Sequence, residues 1–219
     1  MIPALNVTTL DGNLGRTLDT SKVLAMVGIS SSGTAASPTY LGRVSDVIST
    51  FGAGPLVDYA AFAIQAYGIP VLACKVAQHA DGTASEVTKV GTGTSTVTVT
   101  SGAKPNNAYQ LYVEVITGCT IGTTGGEYQW SLDGGRTMSA TTALGTSNAI
   151  TFPDAGTLGL SFGVGNLVAG DTFSVTTTAP TWQASDLTTA CNALGAHVTQ
   201  WKLLSVVGEL TDDDADALD

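Results

Sequence analysis

The chain has 219 residues, of which 43% are hydrophobic and only 12% are charged, so it can bury a core and disorder is not expected. Its formal net charge of -10, with only 8 Lys and Arg residues, argues against binding to nucleic acid or to a membrane surface, because no phosphate-neutralising patch can form. The sequence has no apolar run of membrane-spanning length and no signal-peptide pattern, and we therefore expect it to fold in the cytoplasm.

The first 84 residues have the pattern of an α/β domain. An apolar run over 23–29 predicts a buried strand that leaves its sheet through a polar loop. Ser45 is the expected N-cap of a short helix, and apolar residues spaced three and four apart over 56–67 predict a second helix. Another apolar run over 70–77 predicts a second strand, parallel to the first because two helices separate them.

The pattern changes in the middle of the chain and then returns. Alternation of apolar and polar residues over 85–179, with turn residues between the runs, predicts a β-sandwich or a small barrel. Helical spacing resumes over 181–198, and a last apolar run over 201–208 predicts one more buried strand. We therefore predict an α/β domain with a mixed or parallel sheet, formed by residues 1–84 and 180–219 and interrupted by an inserted all-β sandwich domain.

The C-terminal residues ELTDDDADALD predict a helix that begins after Thr211, with acidic residues in its first turn at the positive end of the helix dipole. The alternating Asp residues over 212–216 resemble the start of a calcium loop. However, Ala217 stands where the turn glycine is needed and no Glu closes the loop, so we expect no metal there. Because nothing completes this helix, we expect that the chain continues past Asp219 or has been cut.

Groups that carry catalysis are scarce. The histidines are His79 and His197, and the sequence has no nucleophile elbow, Walker loop or Cys-x-x-Cys pair. The odd number of cysteines predicts buried free thiols rather than a disulfide framework. These cysteines are Cys74, Cys119 and Cys191. We predict a protein that is not an enzyme, with no catalytic residue, no cofactor and no metal; a pocket that gathers Asp133, Arg136 and His79 would contradict this.

One motif predicts a structural turn. Ser131, Asp133, Gly135 and Thr137 in YQWSLDGGRTM have the spacing of the Asp-box turn found in sialidases and many β-proteins, with a Met in place of the usual aromatic residue. A short Asp side chain accepts backbone N–H groups within such a turn, and the paired glycines allow positive φ. We therefore expect a tight β-hairpin here rather than an active site.

The α/β segment over 23–77 resembles the N-terminal region of contractile phage tail sheath proteins. In that family a strand ending in Gly is followed by a small-residue loop, a short helix, a Phe-Gly…Pro-Leu break, a helix, and an apolar strand after Gly. The matching residues are Gly28, Gly33, Pro38, Phe51, Gly52, Pro55, Leu56, Gly68 and Val71. The β-rich segment over 85–179 resembles domains inserted in sheath and related tail proteins. The family's C-terminal domain, which surrounds the tail tube, has no counterpart before Asp219.

The resemblance implies a structural subunit of the virion, assembled in the host cytoplasm. Its implied partners are copies of itself in hexameric rings stacked helically, the tail tube protein, and the baseplate and tail terminator proteins, with no direct contact to nucleic acid or membrane. Contraction of such a homo-oligomeric sheath drives genome ejection from the bacteriophage. A surface of Gly, Ser and Thr in place of charged residues suits a subunit that is surrounded by partners.

Two alternatives remain open from the sequence. Residues 1–10 are either a candidate inter-subunit arm, in which Ile2, Leu5 and Val7 help to add a strand to a neighbour's sheet, or an edge strand of their own sheet. The alternative function is a carbohydrate-binding or adhesin-like β-module of a phage tail, which needs exposed aromatic platforms. The candidate platforms are Tyr109, Tyr112, Tyr128 and Trp130, of which strand alternation buries about half.

Overall fold

The computed structural model of the chain describes residues 23–216, which form a mixed α/β architecture with several sheets. The helices are α1 (Val44–Phe51), α2 (Pro55–Tyr67), α3 (Ala184–Gly195) and α4 (Asp212–Asp216). The strands up to the middle of the chain are β1 (Leu24–Gly28), β2 (Thr39–Leu41), β3 (Val71–Lys75), β4 (Thr88–Val90), β5 (Val97–Val99), β6 (Gln110–Thr117) and β7 (Cys119–Thr120). The remaining strands are β8 (Glu127–Ser131), β9 (Thr142–Ala143), β10 (Ala149–Thr151), β11 (Gly159–Phe162), β12 (Asn166–Leu167), β13 (Thr172–Thr176) and β14 (Leu203–Val207).

A four-stranded sheet with the order β14-β1-β3-β2 joins the two ends of the described chain. Strands β1 and β3 pair in parallel, as predicted, and β14 pairs in parallel on the other side of β1. The prediction missed β2, a three-residue strand between Pro38 and Gly42 that pairs antiparallel with β3. It was also wrong about the burial of β14, which is only partly covered and which pairs, among residues 23–216, with β1 alone.

Helices cover both faces of this sheet. Met26 of β1 and Ala73 of β3 pack with α1 and α2 on one face, through Phe51 and Leu56. The alternate residues of the same strands pack against α3 on the other face, around Leu187. Because β1 and β3 are buried on both faces, they are continuous apolar runs rather than alternating ones, which is why the sequence predicted them.

Helix boundaries follow local chemistry. The N-cap of helix α1 is Arg43, whose backbone is extended, and it lies two residues before the N-cap predicted at Ser45. Pro55 is the first residue of α2, where its missing N–H is not needed. Gly68 ends α2 in the left-handed conformation. Together α1 and α2 place their apolar sides against the sheet.

The strands between β3 and α3 form antiparallel sheets around a separate hydrophobic cluster. One sheet has five strands in the order β4-β13-β6-β8-β9, a second has the order β10-β11-β5, and a third pairs β12 with β7. Leu111 and Val113 of β6 and Phe173 of β13 point into the cluster, where they meet Phe152 and Leu160 from the facing segments. Alternate residues of β6 and β13 consequently face outward.

The chain passes between the two groups of sheets through two segments that lie side by side. His79 N donates to Thr181 O at 2.8 Å, and Thr83 N donates to the Thr178 hydroxyl at 3.0 Å. An antiparallel bridge also joins Ala80 to Thr181. The entering and leaving segments therefore support each other. Among the residues described, no helix is both long enough and apolar enough to cross a bilayer.

Candidate functional site

The predicted turn residues come together at the end of β8. Ser131 is buried, and its hydroxyl accepts the backbone N–H groups of Asp133 and Gly135, each at 3.1 Å. The Asp133 Oδ1 accepts the N–H groups of Arg136 and Thr137, each at 2.9 Å. The Ser131 hydroxyl bond and these N–H groups hold the pKa of Asp133 well below its usual value. The turn is thus fixed by its own side chains. Ile2, Leu5 and Val7, the candidate arm residues, lie outside the described residues.

This turn folds back onto the outward face of the five-stranded sheet. Gly134 and Gly135 both have positive φ, at 78° and 90°. Gly135 lies against the ring of Tyr112, because a Cβ added to it would lie 3.4 Å from the Tyr112 Cδ1. Gly134 lies closer still to Gln110, because a Cβ added to it would lie 2.9 Å from the Gln110 Oε1. The turn therefore forms a rim above the sheet.

Beside this rim, the outward face of the sheet has a cavity of about 240 Å³. The polar residues of its lining lie on β13 and β6, in β4, and in the segment that leads into β4. These polar residues are Ser85, Thr88, Gln110, Tyr112, Ser174 and Thr176. The cavity was not predicted from the sequence, because its walls come from three distant parts of the chain.

The aromatic residues proposed as platforms divide unevenly. Tyr109, Tyr128 and Trp130 pack against the hydrophobic cluster between the sheets. Burial raises the pKa of Tyr109 to about 12, and the nearby Asp58 and Asp154 act in the same direction. Tyr112 is the member of the set that lines the outward cavity. Strand alternation had predicted that about half of the four are buried, whereas three of them pack inward and Tyr112 is half-buried.

The histidines and cysteines lie apart from the cavity. The Nε2 of His79 is 2.9 Å from the Gln183 Nε2, and the Nδ1 of His197 accepts the Thr199 N–H at 3.1 Å. Cys74 is fully buried, and burial raises its pKa to about 11, with a further contribution from Cys191. All three cysteines are free thiols. The histidines and cysteines are thus held by contacts within the fold, and none of them lines the cavity.

The acidic C-terminal segment uses its central carboxylate to hold helix α4. Asp214 is buried, and its Oδ2 accepts the backbone N–H and the hydroxyl of Thr211 at 2.9 and 2.8 Å. Its Oδ1 accepts a hydrogen bond from the Trp182 Nε1 at 3.1 Å. This is a capping arrangement that also ties α4 to Trp182, which lies two residues before the start of α3. Over residues 23–216, no cluster of three or more metal-ligating side chains is found.

Helix α2 carries an exposed aromatic surface on the side away from the sheet. Tyr59, Phe62 and Tyr67 are 59%, 59% and 68% exposed, and we call these three residues the α2 aromatic face. The rings of Phe62 and Tyr67 meet edge to face with centroids 5.9 Å apart. Leu56, Ala60 and Ala63 are buried on the opposite side of the helix, next to the sheet.

Comparisons with known proteins give low similarity throughout. No protein-family model matches the sequence, and no curated protein matches it. Among solved structures, the chain is similar to the sheath tail protein of Listeria innocua, with 12% identity and a TM-score of 0.39 over 90% of this chain and 42% of that one. It is also similar to the sheath tail protein of Desulfitobacterium hafniense, with 17% identity and a TM-score of 0.41 over 90% and 44% of the two chains. The chain thus spans less than half the length of both proteins.

Proposed function

We propose that the chain is a non-catalytic structural subunit of a contractile phage tail sheath. The observation that carries this proposal is the α2 aromatic face, which lies on a helix of the segment that resembles sheath proteins in sequence. Three large aromatic side chains more than half exposed on one helix are unusual for an isolated domain surface. Self-association gives them a place to be buried.

The charges around this surface favour burial. Helices α1 and α2 each carry a single charged residue, Asp46 and Asp58 respectively. Ile48 of α1 is 53% exposed and adds a further apolar side chain to the same pair of helices. Aromatic residues are enriched and charged residues depleted in the cores of protein interfaces. Complete burial of a large apolar side chain stabilises by about 1.5–3 kcal/mol, so a few such contacts hold neighbouring subunits together.

The domain organisation belongs to the same proposal. We infer that residues 85–179 form an inserted β-sandwich domain carried on the α/β domain by the paired segments around Ala80 and Thr181. Their hydrogen bonds favour a fixed connection over a flexible linker. In a ring of subunits such an insertion faces outward, because a domain of this size near the axis would block ring closure.

The finer mechanism follows from the resemblance. Subunits form hexameric rings that stack helically around the tail tube protein, between the baseplate and the tail terminator. The sheath stores free energy in an extended arrangement and relaxes to a shorter, wider one, which drives DNA delivery. An arm that contains Ile2, Leu5 and Val7 keeps neighbours connected while the rigid domains rotate and slide.

Sedimentation velocity at increasing protein concentration tests the role of the α2 aromatic face, with the protein expressed from its complete reading frame. We expect Phe62→Asp to abolish concentration-dependent association while leaving circular dichroism and thermal unfolding unchanged. Val164→Asp is the matched control, because Val164 is 98% exposed and lies outside the α/β segment. Equal association of wild type and Phe62→Asp, or equal loss in both variants, would rule out this face as the interface.

A further inference from the structure

The cavity on the outward face of the five-stranded sheet has no role in the sheath proposal. It is lined by residues of three strands whose cross-strand register places them in rows. Ser174 of β13 pairs with Thr88 of β4 on one side and with Tyr112 of β6 on the other. In the next row, Thr176 pairs with Gln110. The lining is thus built on adjacent strands rather than on a loop.

The floor of the cavity is rigid. The residues that alternate with the lining, Leu111, Val113, Phe173 and Val175, are buried in the hydrophobic cluster below, each at most 2% exposed. The rim is rigid as well, since the turn at its edge is held by the Ser131 hydroxyl and the Asp133 carboxylate. A cavity on fixed strands and a fixed turn needs little reorganisation to accept a ligand.

The polar groups in the cavity have unused hydrogen-bonding capacity. The side chains of Thr88, Gln110, Tyr112, Ser174 and Thr176 make no hydrogen bond to any other residue within 23–216. Together they offer four hydroxyl groups and one amide group. Each of these groups can donate and accept hydrogen bonds. The fifth hydroxyl, on Ser85, is already engaged, since it donates to Glu86 O at 3.0 Å and accepts the Thr176 N–H at 3.1 Å.

The charge of the lining points to a neutral ligand. None of the described residues that line the cavity carries a charged side chain. Acidic residues flank the lining: Glu86 follows Ser85, Asp133 precedes Gly134, and Glu114 faces the same side of β6 as Tyr112. These carboxylates and the net charge of -10 disfavour an anion. A cationic ligand would find no charged partner in the lining itself.

Tyr112 adds an apolar surface to these polar groups. Its ring is held on one side by Gly135, and it remains partly exposed on the side of the cavity. An aromatic ring with hydroxyl and amide groups around it suits a ligand that has an apolar face and hydroxyls at its edge. A volume of about 240 Å³ is smaller than a drug-sized site and corresponds to a ligand of one or two rings.

We propose that this cavity binds one or two neutral sugar residues of a glycan. The pyranose C–H face stacks on Tyr112, and the sugar hydroxyls exchange hydrogen bonds with Gln110, Ser174 and Thr176. Neutral sugars combine the apolar face and the hydroxyl edge that the lining requires. This inference is independent of the sheath proposal, because it concerns the β-rich segment and leaves the α2 aromatic face unused.

The test begins with a glycan array that contains both neutral and sialylated or phosphorylated glycans, probed with the fluorescently labelled protein. The strongest neutral glycan is then titrated into wild type and variants by isothermal calorimetry. We expect Tyr112→Ala and Gln110→Ala each to weaken binding at least about tenfold, a change of about 1.4 kcal/mol in binding free energy. Where Tyr112→Ala reduces stability, Gln110→Ala decides the outcome, because Gln110 is an exposed side chain.

Two variants serve as matched controls. Thr172→Ala removes a hydroxyl from the same face of β13 outside the cavity, and Tyr40→Ala removes an exposed tyrosine from β2. Neither is expected to change glycan affinity. Absence of any neutral glycan among the binders, or unchanged affinity in both Tyr112→Ala and Gln110→Ala, would overturn the proposal. Sedimentation velocity of the same variants measures self-association separately. Failure of the glycan proposal can therefore be distinguished from failure of the sheath proposal.

Discussion

The side-chain Nδ2 of Asn107 donates a hydrogen bond of 2.9 Å to the Asp58 Oδ2. Asp58 lies in the first turn of α2, and Asn107 lies in the segment that leads into β6. This bond therefore joins the α/β segment to the β-rich segment. Partial burial raises the pKa of Asp58, while the Asn107 hydrogen bond opposes the rise and the charge of Asp154 adds to it.

We expect Asn107→Ala to destabilise the protein by about 0.5–1.5 kcal/mol at neutral pH, since the Asp58 carboxylate loses a donor. The raised folded-state pKa means that the contribution of Asp58 is most favourable below its unfolded value of 3.8 and is lost as pH rises through the folded value. Asn107→Ala removes the hydrogen bond that lowers the pKa of Asp58, so the loss of stability extends to higher pH. Urea unfolding as a function of pH measures both effects.

Asp58→Asn is the control for this pair. An Asn side chain still accepts from Asn107 and has no charge to desolvate, so its stability is expected to lose the pH dependence that Asp58 contributes. A pH profile of Asp58→Asn that matches wild type above pH 3.8 would contradict the assignment.

Asp171 joins two backbone segments through one buried carboxylate, which accepts three N–H groups. Its Oδ1 accepts the Thr92 and Gly93 N–H groups at 2.9 and 3.1 Å, and its Oδ2 accepts the Val168 N–H at 2.8 Å. We expect Asp171→Asn to cost about 1–3 kcal/mol, because the amide nitrogen cannot accept and leaves at least one of these N–H groups without its acceptor. Denaturant unfolding measures the loss, and Glu86→Gln, at an exposed carboxylate, is the control with little expected change.

The Asp171 carboxylate makes the folding stability depend on pH in the direction opposite to that of Asp58. Burial raises the pKa of Asp171, but the hydrogen bonds from Val168, Gly93 and Thr92 outweigh it, so the net shift is downward. The stabilisation is therefore present above the unfolded value of 3.8 and is lost as pH falls below it. The stability difference between wild type and Asp171→Asn should shrink in acid. A difference that stays constant to low pH would contradict the carboxylate's role.

Ser131 is expected to be the more sensitive side chain of the structural turn. Ser131→Ala removes the acceptor of two N–H groups at a buried position and should cost about 1–3 kcal/mol. Ser101→Ala, at an exposed turn, is the matched control. Differential scanning calorimetry compares the two. A similar melting temperature for both variants would show that the turn does not depend on Ser131.

The cysteines should differ in reactivity in the folded state. Cys74 is fully buried and burial raises its pKa to about 11, so the thiolate is scarce at neutral pH. Cys119 is partly exposed. We expect N-ethylmaleimide at neutral pH to modify Cys119 well before Cys74, as followed by mass spectrometry of tryptic peptides. Equal rates without denaturant would contradict the burial of Cys74.

The predictable parts of the fold are those whose pattern is local. Strands β1 and β3 are continuous apolar runs, and α2 has helical spacing that Pro55 and Gly68 delimit, so the sequence predicts all three. Strand β2 has three residues, too few for a period to be recognised. The partial burial of β14 depends on which segments pack against it in the folded chain, and the local sequence does not encode this.

The candidate sites were less predictable for a related reason. Tyr59 has the spacing of a core residue, but smaller side chains on the same helix already fill the space next to the sheet. The cavity requires Ser174 to stand beside Tyr112, and this neighbourhood is set by the strand register between β13 and β6 rather than by any local motif. The Asp-box turn was predictable because its hydrogen bonds close within a few residues.

Self-assembly is the central claim, and electron microscopy of the protein expressed from its complete reading frame tests it most directly. At high protein concentration we expect hollow tubes of regular width in wild type and single particles in Phe62→Asp. Persistent single particles in wild type at every concentration would contradict a sheath subunit.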